Sequence, residues 1–442
     1  MTTSESLAIS HALPPTSNLR LLAAWSSTGR SDLGAHLGTH GPVAIPRRHD
    51  RAWSQNLVEG IRAAGLTGRG GAGFPTARKV DSIRSGRRLP LLAVNAMEGE
   101  PASQKDRVLL ACAPHLVLDG ADLVARAIAA TEMVLCVADD RPDSADRVRV
   151  ALTERAEAGF DRPSIRLVRP PARYVSGEES ALVHWLAGGP AHPQFRVSKS
   201  TPLSIKRRPV LVLSVETLAH VGLIARHDPR WFRRAGLPEA PGTCLVTLSG
   251  PLANPGVCEL ELGTPIASVL ERAGIEDPIG AVLVGGFGGT WLRSGLLATP
   301  FAPGPLAAVG SSMGAGVIAA IPATSCGIAE TARIAAYMAT ESAGQCGPCV
   351  FGLRALATDL RQLARGDGDR QMIQRLRVRL ATVEGRGACR HPDGVVRLVR
   401  SALDVFAADV ADHLRHRPCP GWNRRPVLPV PPPAVNTTRP WR

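Results

Sequence analysis

Five glycines lie close together in the stretch GLTGRGGAGFPTARK, residues 65–79. Three of them, Gly68, Gly70 and Gly73, have the spacing G-x-G-x-x-G. Glycine lets backbone amides approach a phosphate closely, because no Cβ intervenes. The spacing alone also fits a flexible turn, but five glycines are more than a turn needs. With Lys79 as a counter-charge, the stretch predicts a loop that binds a phosphate-bearing ligand.

The segment before this loop indicates which kind of fold carries it. Residues 52–65, AWSQNLVEGIRAAG, have the apolar periodicity of an amphipathic helix. A dinucleotide fingerprint of the ordinary Rossmann type follows a strand instead. The ordinary Rossmann arrangement is therefore excluded, and Gly71 is expected to belong to a phosphate loop of another kind.

The composition is that of a globular protein with an excess of arginine. The chain has 442 residues, 44% of them hydrophobic, and a formal net charge of +14. This length predicts about two to four domains. All but four of the 52 basic residues are arginine, and they are not interleaved with aromatic residues as in single-strand binders. We therefore do not expect nucleic-acid binding, and an acidic protein partner suits the basic surface better.

The sequence has neither an evident export signal nor an evident membrane span. Its first residues lack a basic region followed by an apolar one, so we expect no signal peptide. Residues 294–329 carry no charge, but proline and glycine interrupt them, and a membrane helix needs ~20 continuous apolar residues. Nine scattered cysteines suggest metal ligands or buried thiols rather than disulfides. We predict a cytoplasmic protein.

Changes in the sequence pattern divide the chain into five segments. Residues 1–45 are expected to form a loosely ordered extension. Residues 46–238 alternate apolar strand-like runs with helical stretches, which predicts an α/β domain with a mainly parallel sheet. Residues 239–324 contain short strands, a turn and one helix, which suggests a small β-grasp-like module. Residues 325–418 have helical periodicity and predict a bundle, and the proline-rich residues 419–442 predict an extended or disordered tail.

Polar and acidic side chains stand at two further points of the α/β segment. Asn95, Glu98 and Glu100 follow a predicted strand. Glu178 and Glu179 stand where a helix begins. The simpler interpretations are a polar surface loop and the ordinary preference of acidic residues for helix N-termini. Ligands of open α/β sheets bind at the carboxyl ends of strands, so both loops and the glycine loop are expected to line one crevice.

Cys346 and Cys349 form a Cys-x-x-Cys pair in the stretch SAGQCGPC. Thiolates at this spacing on a turn suit an iron–sulfur cluster, because consecutive ligands reach adjacent corners of one cube. Ala343 stands three residues earlier, where a third cysteine would extend the run. Buried free cysteines are also common, so simple packing remains an alternative.

Four ordered stretches together point to one family: GLTGRGGAGFPTARK, NAMEGEPASQKDR, YVSGEESAL and ESAGQCGPCVFG. In this order and spacing they closely resemble the flavoprotein subunit of respiratory complex I. The same subunit type recurs in NAD-linked hydrogenases and formate dehydrogenases. VETLAHV, residues 215–221, is similar to the flavin-side segment of that subunit, and the middle of the chain resembles its soluble-ligand-binding β-grasp (SLBB) module. The resemblance covers about residues 46–418.

The resemblance implies an electron-transfer flavoprotein. Members of the family bind FMN in the α/β domain, take a hydride from NADH and pass single electrons to a [4Fe–4S] cluster in the helical bundle. Flavins suit this task because they accept two electrons and release them one at a time. The residues that the resemblance assigns to the FMN site are Gly68, Gly70, Gly71, Gly73, Lys79, Asn95, Glu98, Tyr174, Gly177, Glu178 and Thr217. Phe74, Glu100 and Glu179 are expected to contact NADH, with catalytic roles for the two glutamates.

Several positions of the expected pocket depart from the family pattern. Met97 replaces an acidic residue, and Leu213 and Ser214 replace two asparagines that normally contact the flavin. Ser82 replaces an aromatic residue beyond the glycine loop. Residues 196–199 stand roughly where the family has Lys-Pro-Pro-Phe. Each change removes a contact worth about 1 kcal/mol or more, so weaker binding of FMN and NADH is expected.

The cysteines match the family in three positions of four. The family has a C-x-x-C-x-x-C run and a further cysteine downstream, and Cys346, Cys349 and Cys389 match all but the first place, where Ala343 stands. Three interpretations stay open. The site holds a [4Fe–4S] cluster with one ligand that is not cysteine, it holds a [3Fe–4S] cluster, or it is empty and the thiols only pack.

The remaining cysteines and possible ligands are assigned as follows. The candidates for a fourth ligand are Ser342, His391, Asp393 and water. Cys326 is a weaker candidate, because the family often has a cysteine there that does not bind the cluster. A zinc ion would also accept three cysteines and one histidine. The cysteines expected in the core are Cys112, Cys136, Cys244 and Cys258.

The predicted function is electron transfer from NAD(P)H through FMN and the iron–sulfur cluster. The acceptor is expected to be a ferredoxin-like protein or a membrane redox subunit, within a multi-subunit complex. Such a partner would also bring the protein to a membrane. The alternative is a structural subunit that keeps the fold and the partner surfaces but no longer oxidises NADH. The substitutions in the pocket favour this alternative, and the retained glycine loop and glutamates argue against it.

Overall fold

A computed structural model describes residues 19–84, 88–160, 164–196, 202–432 and 441–442. The first elements are two short helices, α1 (Ala23–Thr28) and α2 (Leu33–His40). The predicted loose extension is therefore wrong for residues 19–45. The reason is a buried carboxylate far along the chain: Glu259 accepts hydrogen bonds from the consecutive backbone amides of residues 20–22 at 2.9–3.2 Å.

Helix α3 (Arg51–Ala64) leads directly into the glycine loop, as its periodicity predicts. The Asp50 side chain caps its first turn by accepting the amides of Ala52 and Trp53. Gly65 ends it in the left-handed conformation, with φ of 73°, which glycine adopts without strain. The glycine loop thus follows a helix, and the ordinary Rossmann arrangement is absent at this point.

The next elements form an α/β unit. They are α4 (Thr76–Arg84), β1 (Leu91–Ala96), α5 (Lys105–Cys112), α6 (Pro114–Ala127), β2 (Glu132–Val137), α7 (Pro142–Glu157), β3 (Ser164–Val168), α8 (Glu179–Leu186), β4 (Ser204–Ile205), β5 (Arg208–Ser214), α9 (Val215–His227) and α10 (Pro229–Arg233). The strand order is β3-β2-β1-β5-β4, and only the β4–β5 pair is antiparallel. The predicted mainly parallel sheet is therefore confirmed.

The register of this sheet brings two sequence motifs together. Asn95, near the end of β1, pairs with Ser214, the last residue of β5. Because parallel strands end at the same edge, the loops after β1 and β5 emerge side by side. This edge is where the candidate site lies.

A second five-stranded sheet follows. Its elements, with a small hairpin before it, are β6 (Gly236–Leu237), β7 (Ala240–Pro241), β8 (Thr243–Ser249), β9 (Gly256–Glu261), α11 (Ile266–Arg272), β10 (Ile279–Val284), β11 (Thr290–Arg293), α12 (Pro303–Ala308) and β12 (Val317–Pro322). The strand order is β11-β10-β12-β8-β9, with β8 and β12 parallel and the other pairs antiparallel. Helix α11 buries Ile266, Val269 and Leu270 against this sheet.

The last part is helical. It comprises α13 (Gly327–Thr340), a π-helical turn (Pro348–Leu353), α14 (Arg354–Arg365), α15 (Met372–Val383), α16 (His391–Val405) and α17 (Ala407–Leu414). Within the described part of the tail, residues 419–432 form no helix or strand. They nevertheless pack on α13, because Leu428 is buried and the Val427 amide donates to the Glu330 carboxylate at 2.8 Å. Residues 433–440 lie outside the described ranges.

A buried ion cluster joins the two sheets. The Lys105 ammonium on α5 lies 2.7 Å from the Asp106 carboxylate and 2.8 Å from the Glu216 carboxylate on α9. Glu216 also accepts the Leu245 amide of β8 at 2.9 Å. The opposite charges around it raise the pKa of Lys105 in spite of its burial, which favours the charged lysine. The stretch NAMEGEPASQKDR therefore contains a structural element as well as candidate site residues.

We found no single helix in the described ranges that is long and apolar enough to cross a membrane. Helices α5 and α6 meet the length and composition criteria only as a pair, and they are bent by 95° relative to each other.

Candidate functional site

The glycine loop is closed by backbone hydrogen bonds and exposes its backbone. The Gly68 amide donates to the Phe74 carbonyl at 2.8 Å, and the Thr76 amide donates to the Leu66 carbonyl at 3.0 Å. Residues 70–75 between these bonds are exposed, and α4 begins immediately after them. An exposed glycine loop in front of a helix N-terminus is a favourable place for an anionic phosphate. The exposed loop leaves room for a phosphate, and the phosphate loop stays a prediction.

Buried neighbours hold this loop in place. Arg69 is buried, and its backbone amide donates to the Thr217 hydroxyl at 2.9 Å. That hydroxyl also lies 2.8 Å from the Ser214 hydroxyl. Thr217, predicted as a flavin contact, is therefore occupied in fastening the loop to α9. Burial lowers the pKa of the Arg69 guanidinium.

Two glycines of the loop have close neighbours. A Cβ at Gly70 would lie 3.5 Å from the Ser214 Cβ. Gly71 has φ of 102°, and a Cβ there would lie 3.1 Å from the Gly314 carbonyl oxygen of the second sheet unit. A side chain at Gly71 would thus be strained in its backbone and crowded by another part of the chain.

We expect Gly71→Ala to weaken FMN binding by roughly 5- to 30-fold. The left-handed φ costs an alanine about 1–2 kcal/mol, so the loop is expected to relax out of its binding conformation. A cost of about 1.4 kcal/mol corresponds to a tenfold loss in affinity. The dissociation constant of FMN from the apoprotein, followed by flavin fluorescence, measures this. Gly60→Ala in α3, where a Cβ has no neighbour within 4 Å, is the matched control. Equal affinities in the two variants would contradict the role of this loop.

An ion pair spans the opening between α4 and α8. The Lys79 ammonium on α4 contacts the Glu179 carboxylate, which belongs to the first residue of α8. Both side chains are about one-third exposed. Burial lowers the pKa of Lys79 to about 8, and the positive charge of Arg196 acts in the same direction. The two predicted ligand contacts therefore meet at the mouth of the crevice.

FMN affinity is expected to fall as the pH rises through 8. Below this pKa Lys79 is charged and attracts the phosphate, and above it the neutral amine no longer does. Titrations with FMN on either side of pH 8 test this. Lys79→Arg should remove the pH dependence, because a guanidinium stays charged throughout this range. A parallel decline in both proteins would show that another group causes it.

Asn95 connects the first strand to the SGEES loop. Its side-chain amide donates to the Gly177 carbonyl at 2.9 Å, and its side-chain oxygen accepts the Met97 amide at 3.2 Å. A Cβ at Gly177 would lie only 2.9 Å from the Met97 Cβ. Asn95 and Gly177 are thus brought together as predicted, and Met97 packs between their two loops.

Glu98 and Glu178 both act as helix caps. Glu98 accepts the amides of Asp106 and Arg107 at 2.8 and 3.1 Å, in the first turn of α5. Burial raises its pKa to about 7, and the nearby Asp106 carboxylate adds to the rise. Glu178 accepts the amides of Ser180 and Ala181 at the start of α8. The simpler interpretation, a helix N-terminus, is thus observed for Glu178, whereas Glu98 caps α5 instead of lying in the polar surface loop of its simpler interpretation. Their flavin contacts stay predictions.

Glu100 is buried between the two sheets rather than exposed at the opening. Its carboxylate accepts hydrogen bonds from the Tyr174 hydroxyl at 3.1 Å and from the backbone amides of Phe287 and Ala102 at 2.8 and 3.2 Å. Burial raises its pKa to about 7. The ring centre of Tyr174 in turn lies 5.3 Å from that of His391. These two predicted site residues therefore link the α/β unit to the iron–sulfur segment, whereas Glu179 lies at the surface of the crevice.

The remaining pocket positions are a mixture of exposed and buried residues. Phe74 is 48% exposed beside the glycine loop, with the Arg78 guanidinium 5.6 Å from its ring centre. Leu213 is buried in the core, as expected for a leucine in place of an asparagine. The Ser82 hydroxyl donates to the Lys79 carbonyl within α4. Of the segment 196–199, only the first residue is described.

The three predicted cluster ligands share one environment. The Cys349 and Val350 amides both donate to the Cys346 carbonyl, so the Cys-x-x-Cys pair lies on one helical turn. Burial raises the pKa of the Cys349 thiol to about 12, and the proximity of Cys346 and Cys389 adds to this rise. Burial likewise raises the pKa of Cys389 to about 11. The fold thus brings together thiols that are some forty positions apart.

The environment also offers candidates for the fourth ligand. Ser342 lies near the Cys349 thiol and acts to lower its pKa, against the effect of burial. His391 Nε2 donates to the Met338 carbonyl at 2.8 Å, while its buried Nδ1 has no hydrogen-bond partner among the described residues. Asp393 is less available, because its carboxylate accepts from the Gly385 amide and from Arg390. Three thiols in one environment fit an iron–sulfur cluster, and the unsatisfied imidazole nitrogen belongs to a residue two positions after Cys389.

The flavin and the cluster regions coincide with two family models. Residues 61–223 match the Nuo51 FMN-binding domain, and residues 329–413 match the NADH-ubiquinone oxidoreductase-F iron–sulfur binding region. The chain is 30% identical over 378 residues to the second NADH-quinone oxidoreductase F subunit of Rhizobium meliloti (strain 1021), covering 82% of this chain and 90% of that protein. It is 31% identical over 367 residues to the NADH-quinone oxidoreductase F subunit of Escherichia coli (strain K12), covering 79% and 82%.

A solved structure is also similar. A chain of the NAD+-reducing [NiFe]-hydrogenase in its H2-reduced state superposes with a TM-score of 0.77 at 30% identity, covering 89% of this chain. The present chain spans 66% of that hydrogenase chain. The protein therefore belongs to the family of NADH-quinone oxidoreductase F subunits, and the predicted resemblance is confirmed. It is an electron-transfer subunit with an FMN-binding domain and a [4Fe–4S]-binding region.

Proposed function

We propose that this protein oxidises NADH and delivers electrons singly, through an iron–sulfur cluster, to a partner protein. The observation that carries the proposal is the Lys79–Glu179 ion pair, which joins α4, the helix after the exposed glycine loop, to the first residue of α8 at one opening. The lysine of this pair offers a positive charge to a phosphate, and the glutamate offers hydrogen-bond acceptors to a nicotinamide nucleotide. The names of the relatives, which are subunits of NADH-quinone oxidoreductase, support NADH as the donor.

The residues around the opening have separate tasks in this proposal. Gly70, Gly71 and Gly73 present backbone amides to the FMN phosphate, the Gly68 amide closes the loop by donating to the Phe74 carbonyl, and Lys79 neutralises the phosphate charge. Bound FMN supplies the chemistry that accepts an electron pair and releases single electrons. Asn95 and Gly177 keep the loops after β1 and before α8 at a fixed separation, with Tyr174, Glu178, Glu98 and Thr217 behind them.

The nucleotide is held on the solvent side. Phe74 offers an exposed aromatic face on which a nucleotide ring stacks. The Glu179 carboxylate accepts hydrogen bonds from the nucleotide and orients it. Glu100, held by three donors, positions Tyr174 and the loop that follows β10. In this arrangement the buried glutamate is a positioning residue, and the exposed one touches the substrate.

The cluster is held by Cys346, Cys349 and Cys389, with a fourth ligand from the chain or from water. We infer that His391 Nδ1 is the strongest protein candidate, because it is buried and otherwise unsatisfied among the described residues. Ser342, beside Cys349, is the second. Either ligand would complete a [4Fe–4S] cluster in spite of Ala343, and a [3Fe–4S] cluster would need neither.

Introducing the missing cysteine separates these possibilities. If the natural site holds three irons, Ala343→Cys should convert the low-temperature EPR signal of the oxidised protein into that of a reducible four-iron cluster. The iron content should rise from about three to about four per chain. An unchanged iron content of about four would show that another residue already supplies the ligand, and His391→Ala would then identify it.

We propose that residues 46–238 are the FMN and NADH domain and that residues 239–324 are an SLBB β-grasp module. The central parallel β8–β12 pair with α11 packed across the sheet supports the second assignment. We propose that residues 325–418, with helices α13 to α17, form the cluster-binding bundle. Residues 1–45 and 419–442 then flank these three units.

The electron acceptor is proposed to be a ferredoxin-like or membrane redox subunit of a larger complex. The relatives are subunits of a multi-subunit oxidoreductase and of a hydrogenase, which supports an assembly. A net charge of +14 favours an acidic partner surface. The protein would work in the cytoplasm and reach a membrane through that partner. None of the similar proteins reported above favours the alternative, a structural subunit that does not oxidise NADH.

The first test of the proposal is cofactor content. The protein, expressed and purified anaerobically, should contain about one FMN and three or four irons per chain. A protein that contains flavin but no iron would still be a flavoprotein, but it would lack the proposed cluster through which electrons leave. Absence of both from folded protein would contradict the proposal.

A further inference from the structure

A second group of metal-binding side chains lies apart from the proposed cluster ligands. It consists of Cys326, the N-cap residue of α13, His413 in α17, and Cys419 in the tail. One ligand atom from each lies within 4.8 Å of the other two. Cys326 and His413 are almost fully buried, at 2% and 0% exposed, and Cys419 is partly buried. Two thiols and an imidazole that converge in the interior form an unusual donor set for packing alone.

The imidazole is oriented as a metal ligand would be. His413 Nδ1 lies 2.9 Å from the Leu363 carbonyl oxygen, so Nδ1 carries the proton and donates it to that oxygen. Nε2 is then the unprotonated nitrogen, and it points toward both cysteines. Metal-binding histidines typically donate their other ring N–H to a carbonyl or carboxylate, which fixes the tautomer. The Cys419 amide now donates to Nε2 at 3.1 Å, and a bound ion would replace this hydrogen bond.

The spacing agrees with tetrahedral zinc. Zn–S and Zn–N bonds of about 2.3 and 2.0–2.1 Å at a tetrahedral angle separate the two ligand atoms by ~3.5–3.6 Å. The Cys326 sulfur lies 3.6 Å from His413 Nε2. Mutual separations below 4.8 Å also suit a single ion better than a cluster, whose thiolates bind different iron atoms.

A further candidate ligand lies on the same helix, outside the group of three whose ligand atoms lie within 4.8 Å of one another. Asp409 precedes His413 by four residues, so the two side chains share one face of α17. Asp409 is partly buried. Either Asp409 or a water molecule would complete four-coordination.

The position of the group suggests what the ion does. The tail passes directly over the start of α13: a Cβ at Gly421 would lie 2.6 Å from the Cys326 backbone nitrogen. Leu428 is then buried beyond this crossing. An ion shared by Cys326, His413 and Cys419 would tie the end of α17 and the tail to α13.

We propose that Cys326, His413 and Cys419 bind one structural zinc ion, separate from the iron–sulfur cluster, which fastens the tail to the helical segment. The neighbours that influence the two groups of thiols differ: Cys349 interacts with Cys346, Cys389 and Ser342, whereas Cys326 interacts with Cys419 and Asp409. The proposal depends on this geometry and not on NADH oxidation.

Metal analysis of the full-length holoprotein tests the proposal. Wild-type protein purified without chelators should retain about one zinc per chain in addition to its iron. Cys419→Ser should weaken zinc binding by more than ~100-fold, because removing even an outer-shell partner costs up to about 100-fold and Cys419 is proposed as a direct ligand. The iron content should stay unchanged. Cys389→Ser is the matched variant, which should lose iron and keep zinc.

A second measurement covers the case in which Cys419→Ser does not fold. Cobalt added to zinc-depleted wild-type holoprotein should give the absorption bands of a tetrahedral cobalt–thiolate site, and zinc should displace them. Folded wild-type protein without zinc and without these bands would overturn the proposal. Stoichiometric zinc in Cys419→Ser would also overturn the proposal, because it would mark an adventitious ion. A Cys326–Cys419 disulfide in anaerobically purified protein would overturn it as well.

Discussion

Cys349→Ser is expected to remove the iron–sulfur cluster and leave the flavin in place. Cys349 is the most buried of the three proposed ligands, and its thiol interacts with both others. Its replacement leaves two cysteines, too few for either cluster type considered. The FMN residues lie in a different part of the fold, on the loops after α3 and β1 and before α8, so the flavin site should remain intact.

The expected readouts are iron content, FMN content and electron delivery. Iron should fall from three or four per chain to nearly zero, and the cluster EPR signal should vanish, whereas FMN should stay at about one per chain. Electron transfer to a ferredoxin should fall by orders of magnitude. Cys136→Ala, which alters a fully buried thiol in β2, is the matched control and should keep its iron. Full iron in Cys349→Ser would contradict the assigned ligands.

Lys105→Met is expected to lower the free energy of unfolding by about 3–5 kcal/mol, the usual cost of removing one partner from a buried ion pair. The change leaves the Asp106 and Glu216 carboxylates buried without their cation. Glu216 also holds the Leu245 amide of the second sheet, so the loss extends to the contact between the two sheets.

Urea unfolding compared with wild type measures this loss. Lys206→Met, at an exposed lysine, should change the stability by less than about 0.5 kcal/mol. The double variant Lys105→Met, Glu216→Gln should recover part of the loss, because it removes the unpaired charge on Glu216. A change below about 1 kcal/mol in the single variant would mean that water or another cation compensates.

The sequence was most informative where the chemistry is local. The glycine spacing predicts the loop at residues 68–73, and the Cys-x-x-Cys spacing predicts the turn that carries Cys346 and Cys349. The alternation of apolar runs predicts the parallel sheet, because a βαβ pattern leaves few other topologies. Asn95 and Gly177 meet as expected, since β1 delivers its loop to the edge of the sheet where the SGEES loop lies.

The sequence was least informative where a residue's partner is distant in the chain. Glu98 has the residue type of a ligand contact, but it caps α5 through Asp106 and Arg107, and only the fold reveals those bonds. The cap by Glu178 is local and agrees with its position at the start of α8. The order of residues 19–45 depends on Glu259, more than two hundred positions away. Cys419 lies in a proline-rich tail whose composition predicts extension, and its proximity to Cys326 and His413 follows only from packing.

NADH titration of the anaerobic holoprotein tests the central claim most directly. With FMN and cluster contents known, NADH is added while the flavin absorbance and the cluster EPR signal are followed. If Lys79, Glu179 and the glycine loop form a working site, NADH should bleach the flavin band in stoichiometric amounts, and reducing equivalents should then appear at the cluster. If the protein holds both cofactors and its flavin stays oxidised after NADH is added, the proposed function is contradicted.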